Sequence, residues 1–288
     1  MCWLENNNQI SKVDFSKIAN RYEDYSLVQK SAGDILLNLL EIGDNDDVLD
    51  LGCGVGNLTR KIREMTTPFN PPLLRGNKGV VVGIDSSEGM IQEAREKSRD
   101  LDITFEKRSA EEMDYRDSFD VIFCNSVMQW FKEPHSVVKN CYTALRKDGR
   151  IGVQSPAKRV YSPNFKMAIK KIREDPRTKD IFAHFKSPWF FLETSDEYKD
   201  LFENNGFKVV LSKIESVKTI YTPEDVFKIF SSGAIAGYLN QDFYDVKIDD
   251  DYTVNFTQIV KDAFIQQANN NGEVELIFNR IFLMASKE

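Results

Sequence analysis

A short strand that runs into alternating glycines constrains this chain most. Val48-Leu49-Asp50-Leu51 is followed by Gly52-Cys53-Gly54-Val55-Gly56-Asn57. The apolar residues suit a buried strand, and Leu58 to Met65 has the spacing of a helix that begins directly beyond the loop. Glycines let the backbone turn sharply and bring its N–H groups close to a ligand, and the helix N-terminus adds partial positive charge. Open parallel sheets hold nucleotides at this kind of junction, outside the carboxyl ends of their strands. The glycines here are G-x-G-x-G rather than the dinucleotide pattern G-x-G-x-x-G, and the acidic Asp50 precedes them. A carboxylate there repels a pyrophosphate but suits a nucleotide carrying an α-amino acid, whose ammonium group it attracts.

The alternation continues along the chain. An amphipathic helix over Tyr25 to Leu40 comes first, and a Pro/Gly-rich loop from Thr66 to Gly79 precedes a second strand, Val80 to Ile84. Asp85 closes that strand, and Ser86 or Ser87 caps the helix reaching Ser98. Further strands are expected at Ile103 to Glu106, Phe119 to Cys124 and Arg150 to Gln154, with a helix from Pro134 to about Arg146. Such spacing implies βαβ units and a parallel sheet. From Ser155 to about Trp189 the pattern fails, and prolines punctuate aromatic-rich helical pieces. It resumes with a helix (Ser195 to Asn204), a strand (Phe207 to Leu211), helices over Thr222 to Phe230 and Val254 to Gln267, and a long apolar strand, Val274 to Ala285. The division expected is a ligand-binding core over 1–154 with an N-terminal helical lid, a helical cap over 155–194, and a segment over 195–288 that completes the sheet and adds cap helices.

Composition excludes several classes. The 288 residues carry a net charge of −7 without a basic cluster, which argues against a nucleic-acid partner. Mixed-sign runs such as Lys170-Lys171-Ile172-Arg173-Glu174-Asp175 read as solvated helix faces. Cysteines at 2, 53, 124 and 141 show neither metal-ligand nor disulfide spacing, so no metal is expected. No apolar run approaches membrane-spanning or signal-peptide length, and the expectation is a soluble, cytoplasmic protein, monomeric or homodimeric, with no membrane partner.

Asp50-Leu-Gly-Cys-Gly-Val-Gly56 and Gly83-Ile-Asp85-Ser-Ser-Glu-Gly-Met90 resemble the first two motifs of class I S-adenosylmethionine-dependent methyltransferases. Phe119-Asp120-Val121-Ile122-Phe123 and Leu145 to Gly149 resemble the later ones, so the likeness covers about residues 15 to 155. It implies a Rossmann-like α/β fold whose seven-stranded sheet has the order 3-2-1-4-5-7-6, mostly parallel with the last strand antiparallel. It also implies S-adenosyl-L-methionine as cofactor and S-adenosyl-L-homocysteine as product. Carried over residue by residue, it puts Asp50, Gly52 and Gly54 near the methionine part, Asp85 on the ribose and Met90 against the adenine, with Cys53 and Ser86 counted in the same cofactor site. Ser109, Ala110 and Glu111 fall after strand three, where many members meet the adenine amine. Ser109 stands where an Asp is usual, so Ala110 is the firmer assignment. Tyr22, Asn125 and Ser126 complete the expected cofactor site. Cys53 reads as a small filler, since no base stands by to activate it.

The acceptor is approached through Phe119 to Phe131, a hydrophobic strand that ends in Asn125-Ser126-Val127-Met128-Gln129-Trp130. Methylation of amide or base nitrogens uses Asn/Asp-Pro-Pro-aromatic at this place, which is absent. The Asn70-Pro71-Pro72 elsewhere precedes Leu and reads as a rigid turn. Alcohols and phenols need a base, but the only histidines are His135, read as a surface residue, and His184 in the cap. A carboxylate is already ionised at neutral pH and needs only donors, which Gln29, Gln129 and Trp130 supply, with the hydroxyls of Tyr22 and Tyr25. Tyr-Ser-Leu-Val-Gln29-Lys together with Asn125-Ser-Val-Met-Gln-Trp130 is similar to the subgroup of trans-aconitate, malonyl-(acyl carrier protein) and juvenile hormone acid methyltransferases. That likeness implies that Gln29 and Trp130 hold an acceptor carboxylate. The expected partner is a small-molecule carboxylic acid, free or tethered to a carrier. Phe165, Phe182, Phe185, Trp189, Phe190, Phe191 and Tyr238 would give the cap its apolar surface, while Arg159, Arg173 and Arg177 are available for a multiply charged acid. The alternatives are another small nucleophile (amine, thiol or carbon) and a cofactor-binding protein without catalysis.

Overall fold

The computed structural model describes residues 27–66 and 79–288, with side chains in the first helix from residue 32 onward. Its elements are α1 (Leu27–Leu40), β1 (Val48–Leu51), α2 (Asn57–Met65), β2 (Val81–Asp85), α3 (Glu88–Lys97), β3 (Thr104–Lys107), β4 (Phe119–Asn125), a 3-10 turn (Met128–Trp130), α4 (Pro134–Ala144) and β5 (Leu145–Pro156). They continue with α5 (Pro163–Glu174), α6 (Lys179–Phe182), α7 (Ser195–Glu203), β6 (Lys208–Tyr221), α8 (Pro223–Ser232), α9 (Ile235–Tyr238), α10 (Asp250–Ile265) and β7 (Val274–Ser286). The sheet has seven strands in the order β3-β2-β1-β4-β5-β7-β6. β7 is antiparallel to both neighbours, as expected from the motifs, and the pairs from β3 to β5 are parallel.

The central strands β1 and β4 are buried along nearly their whole length, which is why they read as continuous apolar runs. Their side chains and those of β5 and β7 pack under α4 and α7 on one face, and against α1 and α2 on the other. A second apolar cluster is built largely from aromatics of α5, α6, α8, α10 and the first half of β7. Ser162 caps α5, accepting from the Phe165 N–H, and Thr194 caps α7 in a capping box with Glu197.

Two strands are longer than the sequence suggests. β6 does not stop at Leu211 but runs to Tyr221, because a register shift between Val209 and Leu211 disturbs the apolar alternation. β5 begins at Leu145, where Leu145 already pairs with Phe119, so the turn expected at Asp148-Gly149 lies inside the strand as an irregularity. Ser87, not Ser86, is the cap of α3. Among the described residues no helix is long and apolar enough to cross a membrane, and no group of three His, Cys, Asp or Glu could hold a metal ion.

Candidate active site

The glycine loop is held open by its backbone. Gly52, Gly54 and Gly56 all have positive φ (74°, 55° and 78°), a region costly for other residues. The N–H groups of Gly52 and Cys53 donate to the Ile84 carbonyl at 2.8 and 3.0 Å, which fixes the loop to the end of β2. A Cβ on Gly52 would lie 2.4 Å from Val127 Cγ2, so the loops after β1 and β4 touch at this glycine. Asp85 joins the same arrangement: one carboxylate oxygen accepts from the Gly54 N–H (3.1 Å), the other from the Ser87 N–H (2.8 Å). Each oxygen keeps acceptor capacity for a further hydroxyl. Burial raises the Asp85 pKa above the usual carboxylate value, against those two hydrogen bonds.

Asp50 sits behind the loop rather than in it. Its side chain is buried, accepts from Thr59 Oγ1 at 2.6 Å, and is pushed up to about 7 by burial, with the Asp85 charge adding and Thr59 opposing. Cys53 is likewise buried, and burial holds its thiol well above the normal value, in keeping with an inert filler.

A cavity extends from this loop into the aromatic cap and encloses about 920 Å³ of space free of protein atoms, part of it open to solvent. Of the residues expected at the site, it is lined by Gly52, Gly54, Asp85, Met90, Asn125, Ser126, Gln129 and Trp130. Asp50, Cys53, Ser86, Ser109, Ala110 and Glu111 do not line it. Ser109 Oγ donates to Glu112 at 2.8 Å, and the Ala110 and Glu111 carbonyls accept from Asn140. Tyr22, Tyr25, Asn70-Pro71-Pro72 and the side chain of Gln29 lie outside what the structure describes. In the cap, Phe165, Trp189 and Phe191 face the cavity, Phe182 and Tyr238 are buried in the second core with Phe185 packed against them, and Phe190 packs on the first core. Trp130 lies 5.6 Å from Trp189 between ring centroids. The histidines are exposed and elsewhere: His135 lies 3.4 Å from Asn205, and His184 pairs with Asp245 at 2.7 Å.

The polar strand end proves to be one side of a buried network. Gln129 is committed at both ends, donating to the Ser126 carbonyl (2.8 Å) and accepting from Ser155 Oγ, so it braces the loop. Asn125 pairs in register with Gln154 of β5. With its amide turned to satisfy both ends, the fully buried Gln154 donates to Asn125 Oδ1 (2.8 Å) and Ser126 Oγ (3.1 Å) and accepts from Arg280 Nη1 (2.9 Å). Arg280, from β7, lines the cavity with only 2% of its surface exposed. Arg159 and Arg177 are exposed, Arg177 being paired with Asp175, and Arg173 lies over the Phe182 ring; none lines the cavity. The sequence reading did not single out Gln154, Ser155 or Arg280. The matching polar ends of β4 and β5 were the visible signal for the first two.

The described residues fit S-adenosylmethionine: a bare glycine backbone, a carboxylate with free acceptor capacity at the end of β2, and Met90 all meet one cavity. A family profile described as a methyltransferase domain matches residues 42–206. The chain is 26% identical over 172 residues to malonyl-[acyl-carrier protein] O-methyltransferase from Acetivibrio thermocellus, covering 58% of this chain and 57% of that protein. It is 24% identical over 240 residues to trans-aconitate 2-methyltransferase from Methylobacterium nodulans, covering 83% and 86%. The chain spans about half the length of two further malonyl relatives, 50% and 51%. Among solved structures, the fold is similar to 1,6-didemethyltoxoflavin-N1-methyltransferase from Burkholderia thailandensis, with a TM-score of 0.53 at 14% identity, covering 100% of this chain and 92% of that one. It also resembles the YcgJ protein of a Bacillus species, with a TM-score of 0.57 at 15% identity and coverage of 90% and 99%. With the profile spanning more than half its length, the chain belongs to the class I S-adenosylmethionine-dependent methyltransferases.

Proposed function

We propose that the protein methylates the carboxylate of a small or acyl-chain organic acid, free or carrier-bound, to give a methyl ester. One observation carries this reading. Beyond Asp85, the described wall of the cavity has no histidine and no carboxylate, so nothing there can take a proton from the acceptor. Tyr161 lines it too, but burial beside Tyr238 keeps its hydroxyl protonated. An acceptor that arrives ionised removes the need for a base.

When bound, S-adenosylmethionine supplies a methyl group on a positively charged sulfur. The chain's contribution is position and dryness. Gly52, Gly54 and Asp85 support the nucleoside end, with Met90 beneath it. Trp130, at the junction with the cap, donates its indole N–H to the carboxylate together with Gln29, and Gln129 holds the Trp130 turn in place. Phe165, Trp189 and Phe191 exclude water. The names of the malonyl and trans-aconitate relatives, both acid-methylating enzymes, support the same reading.

The test is transfer of labelled methyl to a panel of acids, amines and thiols, with alkaline lability identifying an ester. Trp130→Ala should lower turnover on the best acid on the order of 100-fold while S-adenosylhomocysteine affinity stays within a few fold. Equal loss of both would remove Trp130 from the acceptor site, and label on amines or thiols alone would overturn the carboxylate reading.

A further inference from the structure

Among the described residues Arg280 is a charge without a counter-charge. Its guanidinium is buried, its Nε has no hydrogen-bond partner, and among the described residues no carboxylate lies within ion-pairing distance. Glu215, directly across on β6, pairs with Lys213 instead. Among the described residues its guanidinium donates to the neutral Gln154 amide, Tyr221 is its electrostatic neighbour, and the Phe278 ring lies 4.9 Å from its guanidinium carbon. Burial lowers its pKa to about 10, which still leaves it protonated at neutral pH. Burying an unpaired cation is costly, because its lost hydration is not replaced. Here that cation stands in the wall of the cavity, at the acceptor end, among Phe165, Phe278 and Ile229.

We infer that Arg280 binds a second, non-reacting carboxylate of the acceptor, so that the preferred substrate is a dicarboxylate and the product its monoester. This rests on the carboxylate reading of the site. The charge argument separates the two carboxylates. The one that takes the methyl forms a new O–C bond as the S–C bond breaks, the sulfur keeps the electron pair, and that oxygen ends neutral. A guanidinium paired with it would bind the ground state more tightly than the transition state and so slow transfer. A carboxylate that stays ionised keeps Arg280 paired in substrate, transition state and product alike. Gln154 then links this anchor to Asn125 and Ser126 on the cofactor side, so the position of one end of the acceptor is tied to the loop that meets the cofactor.

The experiment uses the full chain with S-adenosylmethionine and matched pairs of acids: α,ω-dicarboxylates of several lengths, each against its monoacid of equal chain length. Wild-type protein should favour one diacid over its monoacid by on the order of 100-fold in kcat/KM, and Arg280→Met should abolish that ratio by losing the diacid alone. Arg280→Lys should keep part of it. S-adenosylhomocysteine titration of each variant reports whether the site is still folded. If Arg280→Met does not bind, the wild-type ratio and the Lys variant decide. Acids methylated with no preference for diacids would overturn the role of Arg280 but leave carboxyl methylation standing. No acid methylated, with label on other nucleophiles, would overturn both.

Discussion

At the scale of the residue, Asp50 and Arg280 are opposite cases. Asp50 was legible because it stands in a short motif whose neighbours in sequence are its neighbours in space. Even so, its hydrogen bond to Thr59 and its position behind the loop were not visible. The raised pKa has a consequence for stability. An unfolded Asp ionises near pH 4, whereas folded Asp50 keeps its proton to about 7. Between those values the folded chain binds the extra proton, so stability falls as pH rises and levels off above pH 7. Across that window the loss amounts to about 4 kcal/mol. Denaturant unfolding at pH 5, 6 and 7 should show it in the wild type relative to Asp50→Asn, whose position cannot titrate; parallel curves would refute it. Arg280 was not legible because Ile277-Phe278-Asn279-Arg280-Ile281-Phe282 reads as an ordinary strand, and its partner Gln154 is remote in sequence.

At the scale of the element, the first strand, its loop and the helix beyond it were read correctly because periodicity and glycine both mark them. The ends of β5 and β6 were misread because bulges break the two-residue period on which strand reading depends. The cap was readable only as irregular: its aromatics announce a core, but which of them turn to the cavity depends on helix packing. The contact of Gly52 with Val127 makes the loops after β1 and β4 one unit. Gly52→Ala meets both a positive φ and a 2.4 Å clash, so it should cost about 2 kcal/mol or more of stability. It should also weaken S-adenosylhomocysteine binding at least tenfold, measured by calorimetry, whereas Gly272→Ala has positive φ with open space around it and should leave binding unchanged.

At the scale of the whole molecule, two apolar cores share one strand. Val274, Leu276 and Phe278 of β7 belong to the cap cluster, and Ile281, Leu283 and Ala285 to the core beneath the sheet. Phe165 joins the cap cluster to the cavity, with its ring 5.0 to 6.1 Å from those of Tyr161, Phe230, Phe264 and Phe278. Phe165→Ala should therefore lower unfolding free energy by about 3–5 kcal/mol. Acceptor KM should rise while cofactor affinity is kept, which thermal melting and calorimetry together would show. The topology was legible as a whole because strand and helix alternate, and the wall of the cavity was not, because segments far apart in sequence converge on it. β7 also acts as a ruler with a two-residue gauge. Phe278, Arg280 and Phe282 fall on one face, and inserting a single residue before Arg280 would turn the guanidinium away from the cavity and present Asn279 or its neighbour instead. On the role proposed for Arg280, acceptor preference can thus drift by exchanging side chains along that strand, but not by lengthening it.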